Sequence, residues 1–130
     1  MSAPKIKILV VEDSAAMRSL VASTVESIPG VEVVESDSGF EALRLLPREP
    51  VDLIITDINM PGGINGLELI NFVKKNPRYK HVPLIVISTE GTDRDREKGM
   101  KLGADAYLIK PFEPDDLVAE VERLLVAGAP

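Results

Sequence analysis

The sequence predicts a single α/β domain in which a doubly wound, five-stranded parallel sheet alternates with five helices. Three observations support this fold class. Short apolar runs recur along the 130 residues and are unbroken, as expected for parallel strands buried on both faces. Segments with the apolar spacing of amphipathic helices lie between these runs. Strands and helices that alternate at this spacing are typical of a parallel sheet with right-handed crossovers.

Length and composition exclude several classes of protein before any motif is considered. We expect all 130 residues to form one domain, with a core from about residue 6 to residue 126. The chain has no cysteine, so no disulfide supports the fold. A net charge of −6 and an aromatic content of 4% argue against nucleic-acid binding, because they offer neither a basic surface nor a stacking platform.

Membrane insertion and secretion are also disfavoured. No apolar run approaches the ~20 residues that a bilayer-spanning helix needs. The first five residues, Met-Ser-Ala-Pro-Lys, lack the apolar stretch of a signal peptide. We therefore expect a cytoplasmic protein with no membrane partner.

Five segments have the composition of β-strands. Four of them are short and apolar, and they cover residues 8–11, 51–55, 84–87 and 107–109. The fifth, residues 31–35, interleaves Glu32 and Glu35 with valines. This pattern is typical of an edge strand with one face exposed to water.

Apolar periodicity and capping residues predict the helices. Behind Ser14 a buried stripe recurs at the i, i+3, i+4 spacing until Pro29-Gly30 ends the first helix. The stripe consists of Met17, Leu20, Val21, Thr24, Val25 and Ile28. The next two helices each begin with the spacing of a capping box. These boxes are the pairs Ser38 with Glu41 and Asn65 with Glu68.

The last two helices differ in how their sequences anchor them. Residues 92–102 are mostly charged and offer only Met100 and Leu102 as apolar anchors, so we expect a mobile helix there. Pro114 at a first-turn position opens the final helix. Two aspartates follow it, and its apolar stripe consists of Leu117, Val121, Leu124 and Leu125.

Polar side chains with complementary chemistry follow the predicted strands. Parallel strands direct their carboxyl ends to one edge of the sheet, where ligands bind in this class of fold. The sequence supplies three carboxylates, a hydroxyl and an amine at that edge. They belong to Glu12, Asp13, Asp57, Ser88 and Lys110. We expect these five side chains to form one site.

Such a set of groups is suited to phosphoryl transfer with Mg²⁺. Adjacent carboxylates repel one another, and a hard divalent cation relieves that repulsion. A carboxylate beside the metal can act as a nucleophile and form an acyl phosphate, while Lys110 and Ser88 can contact phosphate oxygens. Taken singly, each residue is more often a helix cap, a turn residue or a solvated charge. Their convergence from four strand ends favours the functional interpretation.

Other kinds of site are excluded by motifs that the sequence lacks. It contains neither G-x-G-x-x-G nor the phosphate-binding G-x-x-x-x-G-K-[ST], so we expect no nucleotide cofactor. His81 is the only histidine, and it precedes a predicted strand. The sequence therefore predicts neither a histidine cluster for zinc nor a catalytic triad.

These motifs resemble the receiver domains of two-component signalling, in particular the single-domain chemotaxis regulators of the CheY type. The resemblance extends from Lys7 to about Leu125. It rests on ILVVEDS at residues 8–14, DLIITDINMP at 52–61, VIS at 86–88 and YLIKPF at 107–112. It implies a flavodoxin-like sheet with the strand order 2-1-3-4-5.

The resemblance also implies a role for each site residue. Asp57 corresponds to the phosphoacceptor of the family. Glu12 and Asp13 correspond to the acidic pair that holds Mg²⁺, with Asp13 as the direct ligand and Glu12 acting through water. The backbone carbonyl of Asn59 would complete the protein's share of the coordination.

Three further residues would respond to the phosphoryl group in a protein of this family. Lys110 would contact it, next to a cis peptide bond to Pro111. Ser88 would move toward it, and Tyr107 would turn inward behind Ser88. A histidine kinase would supply the phosphoryl group. The fourth helix, fifth strand and fifth helix would form the output face for a downstream protein target, and the chain would catalyse only its own phosphorylation and dephosphorylation.

Two features of the sequence depart from the family pattern. The segment between Pro61 and Gly66 has one residue more than expected, and Thr89 stands where alanine is frequent. Two alternative functions also stay open. One is a pseudo-receiver that binds partners without phosphorylation. The other is a phosphatase of the haloacid-dehalogenase type, although such enzymes place a second aspartate where this chain has Asn59.

Overall fold

The chain folds into a five-stranded parallel sheet with helices on both faces. A computed structural model describes residues 5–60, 63–89 and 93–127. The strands are β1 (Ile6–Val11), β2 (Val31–Ser36), β3 (Leu53–Asp57), β4 (Leu84–Ser88) and β5 (Ala106–Ile109). The helices are α1 (Ala15–Glu26), α2 (Gly39–Leu45), α3 (Gly66–Lys75), α4 (Asp93–Leu102) and α5 (Pro114–Ala127).

The strand order confirms the doubly wound, flavodoxin-like fold class. Across the sheet the order is β2-β1-β3-β4-β5, and every neighbouring pair is parallel. The winding direction reverses between β1 and β3, so a crevice opens beyond their carboxyl ends. Val11 is paired with Thr56, and the residues that follow them, Glu12 and Asp57, therefore lie side by side at the carboxyl ends of β1 and β3.

Each face of the sheet has its own hydrophobic core. Consecutive strand residues point to opposite faces, so Ile8 and Val10 pack with α1 and α5 while Leu9 and Val11 pack with α2 and α3. All five residues of β3 and all five of β4 are buried, which explains their unbroken apolar runs. Within the described ranges, no helix has the length and apolar composition of a bilayer span.

The strand bounds observed from backbone pairing differ from those predicted from the apolar runs. β1 and β2 pair from Ile6 with Val31 to Val11 with Ser36, so both strands extend beyond their predicted bounds. β3 begins at residue 53 instead of 51 and continues through Asp57, which pairs with Ile87 of β4. The Asp57 backbone is therefore fixed within the sheet rather than in a turn.

One residue of the stripe predicted for α1 is exposed, and one residue outside that stripe, Ala22, is buried. Val21, Val25 and Ile28 are buried as expected, but Leu20 is 50% exposed. Val21 and Val25 occupy the centre of the face that packs on the sheet. Since successive helical residues are rotated by about 100°, Leu20 is turned away from that face.

One predicted capping box is complete and the other is not. At α3, the Asn65 Oδ1 accepts from the Glu68 N–H at 2.9 Å, and the Glu68 Oε1 accepts from the Asn65 N–H at 3.3 Å. At α2, the Ser38 Oγ accepts from the Glu41 N–H at 3.1 Å. The Ser38 N–H, however, donates to the Ser36 Oγ at 3.4 Å, so Ser36 takes the place predicted for the Glu41 carboxylate.

The helix α4 is present, but its predicted anchors are partly wrong. Met100 is 41% exposed, and Leu102 is half-buried. The buried residue of the described helix is Gly99, because the Tyr107 ring packs beneath it. A Cβ at Gly99 would lie 3.5 Å from the Tyr107 Cδ2, which is ordinary contact. Thr92, the predicted first residue, lies outside the described ranges.

The first residue of α3 packs directly on the end of β3. Gly66 is buried, and its N–H donates to the Ile58 carbonyl at 2.8 Å. A Cβ at Gly66 would overlap the Asp57 carbonyl oxygen and lie 2.6 Å from the Ile58 Cα. Since its φ is not positive, Gly66 is needed for this close approach and not for backbone conformation.

Alanine is expected to have opposite effects at these two helical glycines. At Gly66 the added methyl group meets strand backbone, so the free energy of unfolding should fall by about 2 kcal/mol or more. At Gly99 alanine is a better helix former and has room beside Tyr107, so the free energy of unfolding should rise by about 0.5–1 kcal/mol. Urea denaturation of both variants measures these changes, and equal effects would contradict the packing described.

Candidate functional site

The five side chains predicted to converge all lie at the carboxyl edge of the sheet. Glu12 and Asp13 directly follow β1, and Asp57 is the last residue of β3. Ser88 is the last residue of β4, and Lys110 directly follows β5. Ser88 is fully buried, and its carbonyl accepts from the Lys110 N–H at 2.7 Å. These five residues are called the carboxyl-edge site below.

The Lys110 ammonium bridges two carboxylates at the centre of the site. Its Nζ lies 2.8 Å from the Asp57 Oδ2 and 2.9 Å from the Glu12 Oε2. The lysine side chain is 12% exposed, and those of Asp57 and Glu12 are 10% and 1% exposed. The peptide bond from Lys110 to Pro111 is cis, as the family resemblance implies.

Burial and charge act against each other on these groups. Burial raises the pKa of Glu12, and the nearby Asp57 carboxylate adds to the rise, although hydrogen bonds from Lys110 and the Ser14 N–H oppose it. Burial would lower the pKa of Lys110, but the hydrogen bonds to Asp57 and Glu12 outweigh it and raise that pKa. The geometry thus favours a charged lysine at the site.

The remaining oxygens of the two bridged carboxylates are held by backbone N–H groups. The Glu12 Oε1 accepts from the Ser14 N–H at 3.1 Å, and the Asp57 Oδ1 accepts from the Asn59 N–H at 3.3 Å. Each carboxylate therefore accepts one hydrogen bond from Lys110 and one from a backbone N–H two residues further along its own chain segment. This arrangement fixes the orientation of the Asp57 carboxylate.

Arg18 is a supporting residue whose role the sequence did not reveal. Its guanidinium donates to the Glu12 carbonyl at 2.8 Å and to the Glu35 carboxylate at 3.3 Å. The side chain thereby ties α1 to the carboxyl ends of β1 and β2. The only signal in the sequence is its position in the helix that follows the acidic pair, which is too weak to identify it.

Three carboxylates of the site are close enough to bind one cation. Glu12, Asp13 and Asp57 each offer an oxygen, and these oxygens all lie within 4.8 Å of one another. When ionised, three carboxylates and the one Lys110 ammonium leave a formal charge of −2. An all-oxygen set of this charge, with Asp13 exposed to water, fits Mg²⁺, which binds a few carboxylates and retains water ligands.

The Tyr107 side chain is buried, although β5 is an edge strand of the sheet. It is 8% exposed and belongs to the core formed with α2 and α3. Its ring packs beneath Gly99 of α4. Thr89, next to Ser88, is exposed at the rim of the site. Pro61 and Gly62, in the lengthened segment, lie outside the described ranges.

Comparisons with known proteins identify the family. The model of the response regulator receiver domain matches residues 8–122. A chemotaxis protein CheY homolog from Campylobacter jejuni is 38% identical over 124 residues, which are 95% of each chain. The phosphate regulon transcriptional regulatory protein PhoB of Escherichia coli is 34% identical, but this chain spans only 51% of its length.

The solved structures agree with this assignment. The chemotaxis response regulator CheY4 of Vibrio cholerae superposes with a TM-score of 0.84 at 33% identity, covering 92% of this chain and 98% of CheY4. The chain therefore belongs to the response regulator receiver family. It is similar to CheY proteins over 95% of the Campylobacter jejuni homolog and 98% of the Vibrio cholerae CheY4 chain.

Replacing Lys110 with methionine is expected to destabilise the metal-free protein. Glu12 and Asp57 would stay buried without a counter-ion, which typically costs on the order of 3 kcal/mol. The cost should depend on pH. Because the pKa of Lys110 is raised above 10.5 by folding, its stabilisation is complete below pH 10.5 and is lost as the pH rises through the raised value.

Urea denaturation in a chelator, from neutral to alkaline pH, measures this difference between wild type and K110M. The control is K101M, because Lys101 is 76% exposed and lies 3.7 Å from Glu97. That variant should change stability very little. A K110M penalty that does not shrink at alkaline pH would contradict the charged bridge.

Proposed function

We propose that this chain is a phosphorylation-driven switch of a two-component system, with Asp57 as the phosphoacceptor. The observation that carries the proposal is the Lys110 ammonium held between Asp57 and Glu12. It places a positive charge at a strand-end carboxylate that is buried, fixed in the sheet and bordered by further acids. A solvated turn aspartate would have none of these features.

The reaction follows from this arrangement. An Asp57 carboxylate oxygen attacks phosphorus in a phospho-histidine, forming an O–P bond while the P–N bond breaks and its electron pair stays on the histidine. The Lys110 ammonium then contacts a phosphoryl oxygen, and the Ser88 hydroxyl donates a hydrogen bond to another. A histidine kinase is the donor in this proposal, consistent with the family to which the chain belongs.

Mg²⁺ is the cofactor that the acidic residues would hold. Asp13 and Asp57 would bind it directly, Glu12 through water, and Asn59 through its backbone carbonyl. When bound, the ion supplies positive charge for the oxygens of the transferring phosphoryl group. Without it, the site is left with a net negative charge facing an anionic donor, which disfavours their approach.

The proposed output is a change in the face formed by α4, β5 and α5, read by another protein. Similarity to CheY proteins over 95% of both chains favours chemotaxis as the process. The chain would catalyse nothing beyond its own phosphorylation and dephosphorylation. Asn59 stands two residues after Asp57, where a phosphatase of the haloacid-dehalogenase type needs a general acid, so we expect no turnover of phosphomonoesters.

Asp57→Asn is expected to abolish labelling by acetyl phosphate in the presence of Mg²⁺, because an amide cannot form the acyl phosphate. Intact-mass spectrometry counts the phosphoryl groups added. Asp52→Asn is the matched control, since Asp52 lies beside the opposite end of β3. Labelling of the Asp57 variant at the wild-type level would refute the assignment, and absence of labelling in the wild type would favour a pseudo-receiver.

Asp13→Ala is expected to weaken Mg²⁺ binding by at least about 10-fold, because it removes a carboxylate from the cluster. Isothermal titration calorimetry with MgCl₂ gives the dissociation constant. Asp37→Ala serves as the control, since Asp37 is an exposed acid that follows β2 at the same edge of the sheet. Equal affinities in all three proteins would remove Asp13 from the metal site.

A further inference from the structure

Gly39, the first residue of α2, packs closely against Ile64 in the segment that precedes α3. A Cβ at Gly39 would lie 2.6 Å from the Ile64 carbonyl oxygen and 2.8 Å from the Ile64 Cγ2. Gly39 is buried and its φ is not positive, so its backbone conformation is open to any residue. Close approach to Ile64, and not chain flexibility, is therefore what requires glycine at this position.

Gly39 is itself held firmly to the sheet. The Ser36 Oγ donates to the Ser38 carbonyl at 2.7 Å, and the Ser38 Oγ accepts from the Glu41 N–H at 3.1 Å. Ser36 ends β2, and its own carbonyl accepts from the Glu12 N–H at 3.0 Å. The start of α2 is thus fixed relative to Glu12 and has little freedom to move away from Ile64.

On the other side, Ile64 is connected to the phosphoacceptor by consecutive contacts. The next residue, Asn65, is locked by the complete capping box of α3. Gly66 then donates its N–H to the Ile58 carbonyl at 2.8 Å. One residue further, the Asn59 N–H donates to the Asp57 Oδ1 at 3.3 Å. A displacement of Ile64 therefore reaches the backbone beside the Asp57 carboxylate.

We propose that Gly39 is a positioning residue for the carboxyl-edge site. Because Gly39 has no side chain, the segment from Ile64 to Gly66 can pack directly against the first residue of α2. This contact sets the position of that segment. Through the hydrogen bond of Gly66, it also sets the backbone at Ile58 and Asn59. The inference rests on the proposed function for its meaning, since that backbone carries the Asn59 carbonyl assigned to Mg²⁺. No side-chain rotation can relieve a contact with the Ile64 backbone oxygen, so a larger residue must displace the segment.

Gly39→Ala and Ile64→Ala test the contact between Gly39 and Ile64 by changing each residue in turn. The first inserts a methyl group into the contact, and the second removes a half-buried side chain from it without adding atoms. The control is Gly30→Ala, which introduces strain at φ +85 with no atom within 4 Å and lies at the opposite edge of the sheet. It should lower stability without altering the site.

Three measurements separate positioning from a loss of stability. Amide chemical shifts of Ile58, Asn59 and Gly66 in the metal-free protein report the backbone directly. Calorimetric titration with MgCl₂ gives the affinity of the folded protein. The rate of labelling by acetyl phosphate is recorded over a range of Mg²⁺ concentrations.

For Gly39→Ala we expect shifted amide signals, Mg²⁺ binding weakened by about 10-fold and half-maximal labelling at correspondingly higher Mg²⁺. Ile64→Ala should change the same quantities in the same direction by about 3-fold. Gly30→Ala should resemble the wild type in all of them while unfolding at lower urea. If Gly39→Ala does not fold, Ile64→Ala decides the question.

Wild-type amide shifts and wild-type Mg²⁺ affinity in a folded Gly39→Ala protein, or in Ile64→Ala if only that variant folds, would overturn the inference. Failure of the proposed function looks different. In that case the wild type itself takes up no phosphoryl group, while the amide shifts of the metal-free variants still report whether Gly39 sets the backbone at Ile58 and Asn59.

Discussion

The charged bridge from Lys110 to Glu12 and Asp57 is the interaction on which the carboxyl-edge site depends. Two carboxylates on adjacent strands, both nearly excluded from water, would repel each other and lose their hydration without it. Lys110 is 98 residues from Glu12 in the chain and 53 from Asp57. The bridge therefore forms only when β5 has joined β4, β4 has joined β3 and β3 has joined β1, so the site is complete only in the fully assembled sheet.

The same charges serve stability and the proposed chemistry. In the structure, the ammonium and two backbone N–H groups satisfy all four oxygens of Glu12 and Asp57. A divalent cation and an incoming phosphoryl group would bring new partners for these oxygens and for Lys110, so binding exchanges one set of charge pairs for another. In such an exchange, neither buried carboxylate is left without a positively charged partner.

The sequence predicted the fold and the convergence of the site because both follow from local rules. Unbroken apolar runs indicate parallel strands, and parallel strands bring Asp57 and Lys110 to one edge. These local rules do not predict which side chains from distant segments of the chain contact one another. The sequence pointed to Lys110 as a phosphate ligand, but not to its bridge between Glu12 and Asp57. Gly39 and Gly66 gave no signal, because the reason for each glycine is the backbone of another segment, which becomes visible only when the chain is folded.

The one helix that the sequence anchors weakly is also the one next to the aromatic residue of β5. Of the described residues of α4, only Gly99 is buried, so the helix gains little hydrophobic stabilisation from its own side chains. The surface beneath Gly99 is the Tyr107 ring, three residues before Lys110 in the chain. The Tyr107 ring therefore links the strand that precedes Lys110 to a helix in which one described residue is buried. The cationic bridge and α4 are thus joined through a single short strand, β5.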